Sequence, residues 1–346
     1  MDLGLRFTWR FFLEQCLSEA VVIILRLKGS GGMAATAGID APMCPITGLP
    51  AIRWIQRINP RQLTMLWRHV GGSELGHLLL PFPRIDLWES PCGLAFFYPM
   101  IEGDAALYPN FYRHTGANRW LLGDPDGGRA EFTAAAELIS PGDKVLDIGC
   151  GPASFRKRIP QARYVGLDQF ATPGEIDGVV AESAEHHALS HAGEYDVVCA
   201  FQVLEHTADP LGLAETMVRL LKPGGLFIVG VPSWPSPLVE IPNMPANAVP
   251  HHLSWWTIGA LRALCETLGL DVIAARNMPP QAQHGFLHWL NWFSLIKPKG
   301  PYFRHVLSWH FSLAFAVIMA TLVWPFRVLP PGARSLDCFI AARRPA

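Results

Sequence analysis

The chain is 346 residues long, 50% apolar and only 16% charged, with 28 basic against 29 acidic side chains for a formal net charge of −1. That length admits one large domain or two modest ones with ample core, and the balanced charge offers no footprint to a nucleic-acid backbone, so no nucleic-acid partner is expected. A mean hydropathy of +0.21 with 12 tryptophans excludes a disordered chain and leaves apolar surface that a membrane could meet.

Residues 1–32 hold a short apolar run, Ala20 to Leu27, preceded by Glu14 and Glu19 and followed by a glycine-serine stretch. The run is too short for a secretory signal and the acids are wrong for a mitochondrial presequence, so it reads as an extension, with Met33 as a candidate start. The stretch from Cys44 to Arg129 is rich in proline, glycine and aromatics, which predicts short strands, turns and one helix around Arg61 to Val70. Residues 33–129 thus form a satellite to the larger unit downstream.

From residue 130 the pattern changes to regular alternation. A short helix over 130–139 precedes a buried strand at 144–149, and further strands are expected at 163–168, 195–200, 225–231 and 271–275. An amphipathic helix, "LGLAETMVRLL", stops at "KPGG", and a second is marked by Ile258, Leu261, Leu264, Cys265 and Leu268. Continuous apolar strands between helices mean a parallel sheet covered on both faces. Two apolar stretches come next, 284–296 and 305–326, joined by the basic "KPKGPYFR", before a last strand-like run at 335–344. The second stretch has the roughly 20 residues that a bilayer crossing needs; the first does not.

The seven cysteines are scattered and show no C-x-x-C pair, so neither a disulfide framework nor an intact zinc ribbon is written here, and a reducing, cytoplasmic setting is the default. Chemistry is concentrated in "VLDIGCGPASF", Val145 to Phe155. A hydrophobic strand ends at Asp147 and runs into Gly149 and Gly151, after which a helix is expected, so a ligand can lie across the strand end against bare backbone. Asp168 stands at the tip of the next strand, where an acid can accept both hydroxyls of a ribose. Asp147 beside the loop would repel a pyrophosphate but suits a cationic amino-acid group, and the spacing is G-x-G followed by Ala153, not the G-x-G-x-x-G of a dinucleotide fingerprint.

In this order and spacing, "VLDIGCG", "YVGLD", "YDVVCAFQVLEH" and "LKPGGLFIVGVP" resemble the class I S-adenosylmethionine-dependent methyltransferases, particularly the small-molecule type that includes the ubiquinone-biosynthesis O-methyltransferases. The resemblance covers roughly residues 130–275 and the last strand. It implies an α/β fold, a Rossmann-like doubly wound seven-stranded sheet, over residues 130–346, with S-adenosylmethionine as the cofactor. Asp147, Gly149, Cys150 and Gly151 would line its methionine part, Asp168 would hold the ribose, Gln169 would pack beside the adenosine and Glu182 would accept from the adenine amino group. Phe201 and Gln202 would close over it. Such enzymes often carry an acid where Gln202 stands, which with Glu205 and His206 can hold a divalent metal; Gln202 breaks that pattern, and no metal ligands are assigned.

On the acceptor side, His206 follows the strand at 195–200, at the rim where an acceptor must lie, and could take a hydroxyl proton. His251 and His252 close a long proline-rich loop from residue 232 that would wall the acceptor pocket; they read equally as ordinary residues bonding backbone carbonyls. Trp234, Trp255 and Trp256 would make the pocket apolar. "CPITG" and "SPCGL" resemble the knuckles of a zinc ribbon that precedes some such methyltransferases. Thr47 and Glu89 occupy cysteine positions, so Cys44 and Cys92 are read as a decayed, metal-free ribbon.

Class I sheets end with a sixth strand and an antiparallel seventh inserted between the fifth and sixth. By that resemblance 271–275 and 337–342 are these strands, and 278–334 is an insertion. A single bilayer crossing would put two paired strands on opposite sides of the membrane, so the insertion should be a helical hairpin lying on the domain as a lid, or dipping into the interface as a peripheral membrane contact through 284–326. Trp289, Trp292, Trp309 and Trp324, with Lys297, Lys299 and Arg304, favour the interface. The expected activity is methyl transfer to a small, hydrophobic acceptor, with O-methylation favoured. Two other readings are a catalytically inactive methyltransferase-like binding subunit and a nicotinamide-dependent oxidoreductase.

Overall fold

The computed structural model describes residues 40–107, 111 and 128–346, so the extension at 1–32 and Cys16 lie outside the described residues. Three strands open this part, β1 (Arg53–Ile58), β2 (Ile85–Glu89) and β3 (Ala95–Tyr98), with the short helices α1 (Pro60–Leu66) and α2 (Gly76–Leu79) between the first two. Then come α3 (Ala130–Ala136), β4 (Lys144–Ile148), β5 (Arg163–Leu167), β6 (Val179–Val180), α4 (Ala184–His191), β7 (Tyr195–Phe201), α5 (Pro210–Leu220) and β8 (Leu221–Pro232). The remainder holds β9 (Ser254–Trp255), α6 (Ile258–Thr267), β10 (Asp271–Asn277), α7 (Gly285–Phe293), α8 (Leu307–Val323) and β11 (Asp337–Arg343).

Seven strands form the main sheet in the order β10-β11-β8-β7-β4-β5-β6. The run from β8 to β6 is parallel. β11 lies antiparallel to both β8 and β10, which is the arrangement expected of a class I methyltransferase sheet. Alternation along the central strands feeds two cores. Leu146, Ile148, Val198, Ala200, Phe227 and Val229 meet α4, α5 and α6 on one face. Val145, Val197, Cys199 and Ile228 meet α3, Phe155 and Ile159 on the other. The covering helices start where the sequence caps them: Ser183, Asp209 and Thr257 each accept from a backbone amide of the first turn.

The second sheet, β1-β2-β3-β9, is antiparallel, and its fourth strand is supplied from far downstream by the loop after β8. That loop is not a surface flap. Leu238, Ile241, Ala248, Val249 and Leu253 are 6% exposed or less, packed in one core with Trp67, Phe97 and the α7–α8 hairpin. The two knuckle-like turns do meet, with Cys44 Sγ 3.9 Å from Cys92 Sγ. The Cys92 hydrogen bond lowers the Cys44 thiol to about 5 while that partnership and burial push Cys92 up. Glu89 is drawn away into a 2.5 Å ion pair with Arg53.

One local expectation needs correction. After the glycine bend the chain makes only a 3-10 turn, Ser154–Arg158, not a full α-helix. Ala153 is left-handed at φ 55°, and Pro160 follows Ile159, so neither end propagates an α-helical ladder.

Candidate active site

The carboxyl ends of β4, β5 and β7 converge on one rim. The amides of Gly149 and Cys150 both donate to the Leu167 carbonyl at 2.7 and 3.0 Å, which folds the bend over the end of β5. Gly149 has φ 67°, and a Cβ there would lie 2.5 Å from Val203 Cγ2. Glycine is therefore required by backbone and by contact. Gly151, at φ 50°, faces open space, with nothing within 4 Å of the position a Cβ would take. Here the chain leaves room for a ligand against bare backbone, and Asp168 borders that room. Its Oδ2 accepts from Gly151 N at 3.0 Å and its Oδ1 from Phe170 N at 2.9 Å, so the carboxylate is fixed across the mouth of the crevice. Gln169 is exposed just beyond it.

Asp147 is placed differently from the expectation of a charge lining the loop. It is 3% exposed, takes a 2.8 Å hydrogen bond from the Tyr164 hydroxyl, and burial raises it to about 7. The strand pleat turns it into the sheet beneath the bend, where its anionic form is disfavoured. Phe201 also points down, into an edge-to-face cluster with Phe132 and Phe155 at 4.9 Å, rather than over the crevice. Cys150 is half-buried, and burial pushes its thiol up to about 12. Glu182 stands before α4 with its two oxygens on His186 and His187 Nδ1, at 2.7 and 2.5 Å, which lower it.

Past β7 the chain turns through Gln202, left-handed at φ 59°, and Val203, which seats on Gly149. The short turn Leu204–His206 therefore starts beside the glycine bend. Leu253 N donates to the Glu205 carbonyl at 2.7 Å and brings the distant loop residues with it. His206, His251 and His252 pack ring to ring at 4.6 to 4.9 Å. Nδ1 of His206 lies 2.6 Å from the His251 carbonyl and Nδ1 of His251 2.9 Å from the Ala246 carbonyl, so both carry that proton. Burial holds His206 near 4 and the other two well below their ordinary value, so all three are neutral imidazoles. Their ligating nitrogens fall within 4.8 Å of one another, and among the described residues this is where a metal ion could be held. Ring rotations would have to bring them to about 3.4 Å to enclose zinc tetrahedrally. The Gln202 side chain is engaged away from the three rings, its amide nitrogen donating to Asp337 Oδ1 at 3.1 Å.

Around Glu205, which the sequence already placed beside His206, the fold gathers further acids that were not singled out, the buried Glu131 and the partly buried Asp337. Glu131 and Glu205 are each 1% exposed. Both carboxylate oxygens of Glu205, and Oε2 of Glu131, lack a hydrogen-bond partner. Burial raises Glu205 to about 8 and shifts Glu131 and Asp337 up as well. Glu205 Oε1 lies 3.6 Å from His206 Nε2. Unsatisfied oxygens in a sealed interior are costly unless a ligand completes them. The available signal was Glu131 itself, an acid in the first turn of an otherwise apolar, alanine-rich helix.

The chain resembles known proteins over part of its length. Residues 124–275 match the family model described as a methyltransferase domain. The ubiquinone biosynthesis O-methyltransferase of Cronobacter sakazakii is 38% identical over 97 residues, which cover 24% of this chain and 40% of that protein. Its counterpart from Escherichia coli is 37% identical over the same shares. The chain thus spans about two fifths of the length of the curated relatives it matches. Among solved structures, a SAM-dependent methyltransferase from Archaeoglobus fulgidus superposes with a TM-score of 0.45 at 18% identity, covering 67% of this chain and 99% of that one. The 1,6-didemethyltoxoflavin-N1-methyltransferase of Burkholderia thailandensis, solved with 1,6-didemethyltoxoflavin and S-adenosylhomocysteine, gives 0.43 at 15% identity, covering 68% and 84%. Residues 124–275 thus match a methyltransferase domain, and they carry most of a seven-stranded sheet in the order expected of the class I fold.

Proposed function

We propose that the protein transfers a methyl group from S-adenosylmethionine to an oxygen of a small hydrophobic acceptor. The observation that carries this reading is a juxtaposition: the open bend at Gly151, bordered by Asp168, lies on the same rim as the buried Glu205–His206 pair, joined to it through the Gly149–Val203 contact. The bend and Asp168 suit the nucleoside and amino-acid parts of the cofactor, and Glu182, just ahead of the helix after β6, is the acid proposed for the adenine edge. When bound, the cofactor supplies an electrophilic methyl on a sulfonium, so the protein has mainly to align the acceptor and exclude water. The buried loop from Ser233 to Trp256 does the excluding, with Trp234 and Trp255 as aromatic walls.

The proton of an acceptor hydroxyl needs a destination. His206, held near 4, is a weak base, whereas Glu205, raised to about 8, binds a proton firmly near neutral pH. Glu205, in its deprotonated fraction, is therefore the better acceptor, and His206, its Nδ1 fixed on the His251 carbonyl, packs its ring beside it with Nε2 3.6 Å away. This reassigns the role first expected of His206. His251 and His252 support the pair from behind, as neutral packed rings. The free thiols among the described residues fit a reducing, cytoplasmic setting.

The test is release of S-adenosylhomocysteine with a panel of phenols and catechols of increasing chain length, read against pH. A rate that rises toward pH 8 and falls about 100-fold in Glu205→Gln supports the assignment. Absence of S-adenosylhomocysteine binding by calorimetry would refute the whole reading, and an unchanged pH profile in Glu205→Gln would refute the base.

A further inference from the structure

The hairpin between β10 and β11 has two unlike faces. α8 seats Trp309, Leu313, Ala316 and Ala320 on the protein. Its opposite side carries Phe311, Ile318 and Leu322, 61%, 37% and 55% exposed, and the turn after it adds Phe326 at 73%. From the α7 side Trp292 and Leu295 are exposed by 48% and 64%. The 311, 318, 322 spacing follows one stripe of an α-helix. Only 28% of the most apolar window of this segment is buried, so it is not the core helix of the fold. Nor can it cross a bilayer: β10 and β11 pair over their full length, from Asp271 with Arg343 to Asn277 with Cys338, so the connection leaves and returns on one side.

Charge identifies the occupant. Residues 279–336 contain five basic residues and no Asp or Glu, in a chain whose net charge is −1. Lys299, Arg304 and Arg327 are exposed around the stripe. Apolar side chains rimmed by uncompensated cations match a surface with an acyl interior and anionic headgroups. The inner face of the same hairpin reaches the acceptor end. His284 and His288 are buried there, Gln281 Oε1 accepts from Ala130 N at 3.0 Å, and Glu131 follows directly.

We propose that the α7–α8 hairpin docks the protein in the plane of an anionic lipid bilayer and that the methyl acceptor enters from that bilayer. The docking stands on the stripe and its charge alone; the entry of the acceptor rests on the methyl-transfer reading. Flotation with vesicles of phosphatidylcholine, and of phosphatidylcholine with about 30% phosphatidylglycerol, tests the first part without cofactor or acceptor. The full chain should float with the anionic vesicles, and the bound fraction should fall about tenfold in Phe311→Asp/Leu322→Asp and severalfold in Lys299→Glu/Arg304→Glu/Arg327→Glu. Circular dichroism melting confirms that these exposed substitutions leave the fold intact. Failure of the wild-type chain to float with either vesicle overturns docking. A dimer by light scattering that Phe311→Asp/Leu322→Asp dissolves would overturn it too, by giving the face to a second copy. For the second part, Phe311→Asp/Leu322→Asp should keep turnover of a short water-soluble phenol and lose that of a long-chain phenol in vesicles. Equal loss of both overturns entry from the bilayer, while S-adenosylhomocysteine calorimetry reports separately on the methyl-transfer site.

Discussion

Replacing Asp168 isolates the acid at the mouth of the crevice. In the structure its two oxygens already take amides from opposite sides, Gly151 N at 3.0 Å and Phe170 N at 2.9 Å. Asp168→Ala removes the acceptor for a ribose and the brace that fixes the bend at Gly151. Each hydrogen bond to a charged group contributes about 1.5–3 kcal/mol, and in the half-exposed rim water replaces part of what is lost within the protein. Losing one to two such bonds to the ligand weakens S-adenosylhomocysteine binding by about 10- to 150-fold, while the fold loses only about 1 kcal/mol. Asp168→Asn keeps one carbonyl oxygen and sets a donor against an amide, so it should fall between wild type and alanine. Isothermal titration gives the affinities and thermal melting the stability. An alanine variant that binds within about twofold of wild type would refute the ribose assignment, because the carboxylate bordering the bend at Gly151 would then contribute nothing to the ligand.

The two glycines of the bend should respond differently. Gly149→Ala adds a methyl 2.5 Å from Val203 at φ 67°, so both melting temperature and affinity should drop, and Val203→Ala in the same chain should restore part of the stability. Gly151→Ala meets open space, so the cost to the fold should be about 1 kcal/mol of backbone strain. A larger loss of S-adenosylhomocysteine affinity than of stability is the expected result, and equal losses would show that the space serves no ligand. Stability should also depend on pH with a definite sign. Folded Glu205 and Asp147 hold protons up to about 8 and 7, against ordinary values of 4.5 and 3.8, so the folded chain binds more protons there and stability falls as pH rises through that window. His206, His284, His288 and His310 are held near 4 against an ordinary 6.5, so below pH 6.5 the unfolded chain binds more protons and stability falls as pH drops. Melting temperature should therefore peak near pH 6.5, and Glu205→Gln should flatten the alkaline side. An unaltered alkaline limb in that variant would place the buried acid elsewhere.

Legibility followed sequence distance. The runs at 144–148, 163–167 and 195–201 are apolar on both faces and announce central strands, whereas β6 is two residues long and gives no periodic signal. The glycine bend and Asp168 lie 17 residues apart, within a single βαβ-like unit, so their meeting could be anticipated. His206 and His251 lie 45 residues apart and meet through a loop with neither helical nor strand periodicity. Periodicity also says which residues are apolar but not which way a polar one turns: the pleat, not the motif, buried Asp147 under the bend and Phe201 in its aromatic cluster. The sequence set Glu205 beside His206, but the burial of Glu131 and Glu205 together comes from tertiary packing that no local pattern encodes.

The borrowed strand β9 ties two regions that a gene map would separate. Because Ser254 and Trp255 complete the sheet begun by β1, β2 and β3, the loop after β8 and the module at residues 40–107 share one set of ladder bonds. A chimera that exchanges residues 40–107 for another protein's would leave that edge without its mate and loosen the histidine trio through Leu253. Retargeting such an enzyme to a new acceptor therefore means regrafting both pieces together, as a matched pair.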